Sequence, residues 1–279
     1  MNPLANCATL ACIWEATAPK PGNVYRGADF EDVSYLDFLT SAVVLGNPIA
    51  SAETCGVGLA ILNCIQAIHE AVGSNTYLGT VLLLAPLAAV PAEIPLALGI
   101  DAVLANLSIA DTRNVYRAIR LAEAGGLGTA DSADVHGNDP EISLVEAMRL
   151  AAERDLVARQ YTSSFREVFW VAERIAAHGL PLGEAIVRAF LELLAEFPDS
   201  LIARKCGPTV SEQVSARAAK LLALAESGDE SYAWEIGDFD FWLRADGHRR
   251  NPGTSADLIA AGLFVLLREN RLTWPVEFY

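Results

Sequence analysis

Positive charge is scarce in this sequence: 20 of 279 residues are Lys or Arg against 35 Asp or Glu, a formal net charge of -15. Broad contact with nucleic acid depends on Lys and Arg displacing counterions from phosphates, so that partner is excluded and any phosphate site must be local. Anionic membrane surfaces are disfavoured for the same reason. Cysteine is also sparse. Cys7, Cys12, Cys55, Cys64 and Cys206 are odd in number and form neither a CxxC pair nor a spacing with His. A disulfide framework and a zinc site are thereby set aside in favour of reduced thiols, as expected of a cytoplasmic protein.

Long unbroken apolar runs are missing as well. The most hydrophobic region, Val81 to Ile100, is interrupted by Pro86, Pro91, Glu93 and Pro95. It falls short of the roughly 20 apolar residues a membrane span needs, and two buried helices meeting at a Pro-rich corner account for it. The apolar stretch Leu4 to Trp14 has no basic flank and runs straight into Glu15, so it does not read as a signal peptide. Alternating Val, Ile and Thr runs, the mark of strands, are nearly absent.

What remains is a chain with 52% hydrophobic residues at helical spacing, such as Leu144, Met148, Ala151 and Ala152, then Ala158, Tyr161, Phe165 and Phe169. The expected fold is all-α, a single domain over residues 1–279 with about ten helices. One of them is predicted to be long, from about Ser143 to Ala177, with Ser143 and Glu146 forming a capping box and Gly179 and Pro181 marking the stop. Neither an internal repeat nor a domain linker is visible.

Four breaks between the helices carry more polar chemistry than turning requires. In Glu15 to Asn23, two prolines hold Lys20 in an extended loop where it can meet a phosphate as a point charge, and Gly22 lets the backbone at Asn23 approach a ligand. In Asn75 to Thr80, Asn75 can cap a helix starting near Leu78, whose free N–H groups suit an anion. In Pro198 to Gly207, adjacent Arg204 and Lys205 suit an oligophosphate, although they equally suit the negative end of a helix. In Asn251 to Asp257, Thr254 or Ser255 reads as a helix cap with Asp257 in the first turn. Each also has a plain structural account: an exposed Lys in a turn, or ordinary caps. A fifth segment, Gly125 to Gly128 with Asp131, Asp134 and His136, lacks the spacing of a P-loop or dinucleotide fold, and its carboxylates suit Mg2+ or, equally, a solvated acidic loop. His69, His136, His178 and His248 are scattered without metal spacing.

Taken in order, these phrases resemble the triphosphoribosyl-dephospho-CoA synthase family over almost the whole chain. The resemblance rests on Ala18-Pro-Lys-Pro-Gly-Asn-Val24, on Asn75 to Leu87, on Gly125-Gly-Leu-Gly128 with Asp134, on Glu153-Arg-Asp155 with Arg159-Gln-Tyr161, on Arg204-Lys205 and on Asn251-Pro-Gly-Thr-Ser-Ala-Asp257. It implies an all-α enzyme that transfers the triphosphoribosyl group of ATP to the ribose 2'-hydroxyl of dephospho-CoA, releasing adenine. Lys20, Arg204 and Lys205 would then hold the triphosphate, Asn23, Asn75 and Asn251 would orient phosphate or ribose, and Asp134 and Asp257 would hold Mg2+. The base would come from Glu15, Asp134 or Asp155. One departure stands out: such synthases tend to carry His-Lys-Gly after the Asn-Thr, whereas this chain has Tyr77-Leu78-Gly79, nearer an archaeal-type branch. Another acceptor, for instance in pterin-type C1-carrier biosynthesis, therefore stays open. So does an all-α, Mg2+-dependent nucleotide or ADP-ribose hydrolase, which adjacent paired aspartates would favour and which this chain lacks. Asp155 and Arg159, four apart on a helix, can also simply pair.

Overall fold

Glycine, proline and small polar residues cut the chain wherever the apolar periodicity stops, and every piece between the cuts coils into a helix. The computed structural model describes residues 3–124 and 141–279, so Asp131, Asp134, His136 and the Gly125 to Gly128 segment lie outside the described residues. Within them the class is all-α, with one isolated bridge between Tyr25 and Ala28 and no strands.

The first layer comprises α1 (Pro3–Thr17), α2 (Tyr35–Ala50), the short α3 (Ala52–Cys55), α4 (Val57–Val72), α5 (Leu78–Ala88), α6 (Leu96–Ala105) and α7 (Ile109–Ala124). Here α1 packs on α2, α2 on α4, and α4 on α7. The Pro-rich corner expected between two buried helices lies between α5 and α6. The second layer holds α8 (Leu144–Ala151), α9 (Leu156–Gln160), α10 (Arg166–Ala177), α11 (Leu182–Glu196), α12 (Ser200–Cys206), α13 (Pro208–Ser227) and α14 (Tyr232–Arg244).

Between them runs α15 (Gly253–Arg268), which touches α1, α5, α9, α10, α11 and α12. A helix apolar on all sides belongs in the middle of a bundle. Every residue from Thr254 to Leu267 is buried except Asp257, the one acid of this helix, which is half-buried.

Fifteen helices among the described residues exceed the ten expected, and the surplus has local causes. The long helix predicted from Ser143 to Ala177 is three pieces. Asp155 accepts from the N–H groups of Val157 and Ala158 and starts α9 afresh, while Ser164 and Phe165 take positive φ and separate α9 from α10. The Ser143–Glu146 capping box and the positive φ of Gly179 are as the sequence indicates. All five cysteines are free thiols, and among the described residues no helix is long and apolar enough to cross a membrane.

Candidate functional site

The N-terminal turns of α15 are where the polar phrases meet. Asp257 packs against α5: its Oδ1 accepts from the Thr80 hydroxyl at 2.6 Å. A Cβ at Gly79 would lie 2.6 Å from the Asp257 Cγ, so only glycine admits the carboxyl there. The loop after α1 arrives from another side, because a Cβ at Gly22 would meet Leu243 at 2.7 Å and Pro252 at 3.0 Å. The Gly22 N–H donates to Asp240 Oδ1 at 2.7 Å, and Arg244 donates to the Asn23 carbonyl, which anchors the loop on α14.

Helix α12 arrives from a third side. Asp199 is fully buried; its Oδ1 caps α12 through the N–H groups of Leu201 and Ile202, and its Oδ2 accepts from the N–H and hydroxyl of Ser255. Ser200 Oγ donates to Thr254 Oγ1 at 3.1 Å and accepts from the Leu156 N–H. Thr254 and Ser255 are therefore not caps of their own helix, as the sequence suggested; their hydroxyls bridge α15 to α12. Asp257 sits one turn beyond the first turn of α15, because the helix already begins at Gly253. Neither Asp199 nor Thr80 was singled out from sequence, although both lie inside phrases that were.

Lys20 departs most from expectation. Rather than standing in an open loop, it is fully buried, with Nζ 2.9 Å from Glu15 Oε1 and donating to the Glu15 carbonyl. An ammonium taken out of water must find an opposite charge, and the proline on each side turns this one inward to the end of α1. Burial pushes the Glu15 carboxyl up and the Lys20 charge pulls it back only in part. In this arrangement Lys20 is not a free phosphate ligand, and Glu15 is not a free base.

Asp155 pairs with Arg204 rather than with Arg159: Arg204 Nη1 lies 3.4 Å from Asp155 Oδ2, while Oδ1 caps α9. Lys205 is half-buried in the last turn of α12, and its ammonium has no ion pair or hydrogen bond among the described residues. Burial, reinforced by Arg204, holds its pKa below the usual lysine value.

Of the three asparagines, Asn75 Oδ1 accepts from the Leu78 N–H at 3.1 Å as a helix cap. Asn23 is buried and donates to the Pro21 carbonyl at 3.4 Å. Asn251 has a buried Oδ1 with no hydrogen-bond partner among the described residues. The Tyr77-Leu78 departure has a packing role: the Tyr77 hydroxyl donates to the Cys12 carbonyl at 3.1 Å, its ring meets Phe38 edge-on, and Leu78 packs on the core.

Carboxylates dominate the electrostatics. Burial first, then Glu15 and Asp199, push Asp257 up to about 8 in spite of the Thr80 hydrogen bond. Burial also raises Asp199 against its four donors. The buried charges around Asp257 are the carboxylates of Glu15 and Asp199 and the enclosed Lys20, a setting that would suit a divalent cation. Among the described residues no cluster of three His, Cys, Asp or Glu side chains could cage one, so a cation at Asp257 would need oxygens from a substrate.

The sequence matches the family of ATP:dephospho-CoA triphosphoribosyl transferases (CitG) over residues 1–276. A crystal structure from Archaeoglobus fulgidus, provisionally described as a triphosphoribosyl-dephospho-CoA synthase, is similar with a TM-score of 0.68 and 25% identity. The match covers 83% of this chain and 98% of that one. No curated protein matches significantly. The family match takes in every segment that meets at α15, and the chain belongs to the ATP:dephospho-CoA triphosphoribosyl transferase family.

Proposed function

We propose that the α15 terminus is where this transferase moves the triphosphoribosyl group from ATP to the 2'-hydroxyl of dephospho-CoA. The observation that carries the reading is the convergence of Gly79 and Thr80, Asp199 and Ser200, and the Glu15–Lys20 loop on residues 252–257, with unpaired Lys205 and exposed Arg204 on the adjoining helix. In the reaction the C1'–N9 bond of ATP breaks, a bond from C1' to the acceptor 2'-oxygen forms, the hydroxyl proton leaves, and adenine departs protonated. Such a displacement passes through an oxocarbenium-like state.

Arg204 and Lys205 hold the triphosphate; two adjacent cations at a helix end, one without a partner, are suited to it. Asp257 would hold Mg2+ together with phosphate oxygens of the substrate, and the bound ion would supply charge neutralisation of the triphosphate. Asn251 Oδ1 offers its unused acceptor to a ribose hydroxyl. Glu15 and Lys20 keep the loop beneath the site in one conformation. The base is Asp155. A phosphate that captures Arg204 frees Asp155 Oδ2 from its ion pair while Oδ1 stays with the α9 cap. Use of ATP and five free thiols favour the cytoplasm.

Incubation with ATP, Mg2+ and dephospho-CoA, followed by mass analysis of both products, tests this. Equimolar free adenine and a triphosphoribosylated acceptor are expected. Adenine without acceptor adduct would instead mean hydrolysis.

A further inference from the structure

The loop that carries Lys20 has a second face. While Lys20 turns inward to Glu15, its neighbours Pro19 and Pro21 line a cavity of about 860 Å³ bounded by α11, α13, α14 and residues 278–279. That volume lies within the range of small-molecule sites, roughly 300–1,000 Å³. Leu224, Ile236 and Phe278 make one wall apolar. The C-terminal segment is fixed in place, since the N–H groups of Leu182 and Gly183 donate to the carbonyls of Glu277 and Phe278 at 2.8 and 2.9 Å.

Arg188 is the cavity's only lining cation among the described residues, half-buried on α11 and without an ion pair or hydrogen bond there. Three carboxylates share the lining, and two are committed elsewhere: Asp240 to Gly22 and Arg244, and Asp229 to the Ser231 N–H. Glu184, one turn before Arg188, is exposed and forms no ion pair with it. An arginine held beside an apolar wall with no anion of its own suits a ligand that brings one.

We propose that this cavity is the acceptor site, with Arg188 on the diphosphate of dephospho-CoA and the apolar wall along its pantetheine arm. This rests on the reading of dephospho-CoA as acceptor. ATP fits the cavity less well, because a triphosphate calls for more than one cation and Arg204 and Lys205 already provide two. Pro19 and Pro21 line the cavity and flank Lys20, so the loop is shared with the Glu15 side, and an acceptor bound here carries its ribose past that loop into contact with the donor C1'.

Two variants test the assignment by calorimetry with dephospho-CoA and, separately, with ATP. Arg188→Ala removes the cation. Gly237→Trp introduces a large ring into the cavity from α14, at a position where an added Cβ meets nothing within 4 Å, and its unfolding transition is compared with wild type alongside binding. Each is expected to weaken dephospho-CoA binding roughly tenfold or more while leaving ATP affinity in place. Unchanged dephospho-CoA affinity in both variants would overturn the cavity assignment and leave the acceptor reading standing. Loss of ATP affinity alone would make the cavity the donor site and overturn it as well. A wild-type protein that binds no dephospho-CoA would remove the acceptor reading, and this proposal with it.

Discussion

Gly79 and Asp257, 178 positions apart, occupy one space: the carboxyl of Asp257 lies where any side chain at 79 would begin. Its neighbour Thr80 then donates to the same carboxyl, so α5 both makes room for Asp257 and fixes its rotamer. Replacing Gly79 with Ala should push Asp257 off Thr80 and cost about 1–3 kcal/mol of stability, the usual penalty for overpacking. Denaturant unfolding gives the stability, and adenine release gives the activity. A variant as stable and active as wild type would show that Asp257 does not need its present position.

The second expectation concerns pH. Folded Asp257 titrates at about 8, far above an unfolded aspartate, so the folded state holds its proton more tightly. Its stabilising contribution is complete below the unfolded pKa, near 4, and is lost as pH rises through about 8. Asp257→Asn lacks that loss. In the absence of metal and nucleotide, the variant should gain stability over wild type between pH 5 and 9, by on the order of a few kcal/mol at the upper end. Glu15 and Asp199 are coupled to Asp257 by charge, so the difference between the two proteins also carries their response to its removal. With Mg2+ and ATP present the order should reverse, since only the carboxylate holds the cation. Thermal unfolding at several pH values reads both effects.

Much of this was legible in the residues. Helical periodicity and the scarcity of strand patterns give the class, and the Pro and Gly breaks mark where the polar phrases lie. The sequence could not show which way a side chain in a phrase turns. Lys20 between two prolines reads equally as an exposed charge and a buried one, and the deciding partner, Glu15, sits in the same phrase on the preceding helix. Thr254 and Ser255 have the composition of caps, yet their hydroxyls serve Ser200 and Asp199, more than 50 positions away. Asp155 shows the same competition: Arg159 is near in sequence, but Arg204 faces it from α12. Long-range pairing overrides local spacing in each case, and helix count suffers similarly, because the breaks at Asp155 and Phe165 carry neither Gly nor Pro.

Asp155 combines a structural and a catalytic task that one substitution can separate. Asparagine caps a helix about as well as aspartate, so Asp155→Asn should keep α9 and leave stability within about 0.5 kcal/mol. As a base it is disabled, and the rate of adenine release should fall by roughly 10² to 10⁴, with ATP affinity little changed. Asp155→Ala should lose both cap and rate. If Asp155→Asn transfers the ribosyl group at the wild-type rate, another group takes the proton and Asp155 is a cap alone.

Lys205 separates ligand binding from folding most cleanly, because its ammonium makes no ion pair or hydrogen bond among the described residues while its carbonyl, which Arg249 donates to, is unaffected by a side-chain change. Lys205→Ala should therefore leave the unfolding transition in place. Its effect should fall on ATP, with a loss of about 1.5 to 3 kcal/mol in binding free energy if the ammonium contacts a phosphate oxygen directly. Burial and the adjacent Arg204 charge hold the Lys205 pKa below its ordinary value, so the protonated form is lost earlier as pH rises. ATP affinity of the wild type should accordingly decline at alkaline pH, and that part of the decline should vanish in Lys205→Ala. Calorimetric titrations of both proteins at two pH values, with and without Mg2+, measure the loss and its pH dependence. Equal ATP affinity in the two proteins would remove Lys205 from the site. Arg204 alone would then carry the triphosphate, and its pairing with Asp155 would become the first contact to test.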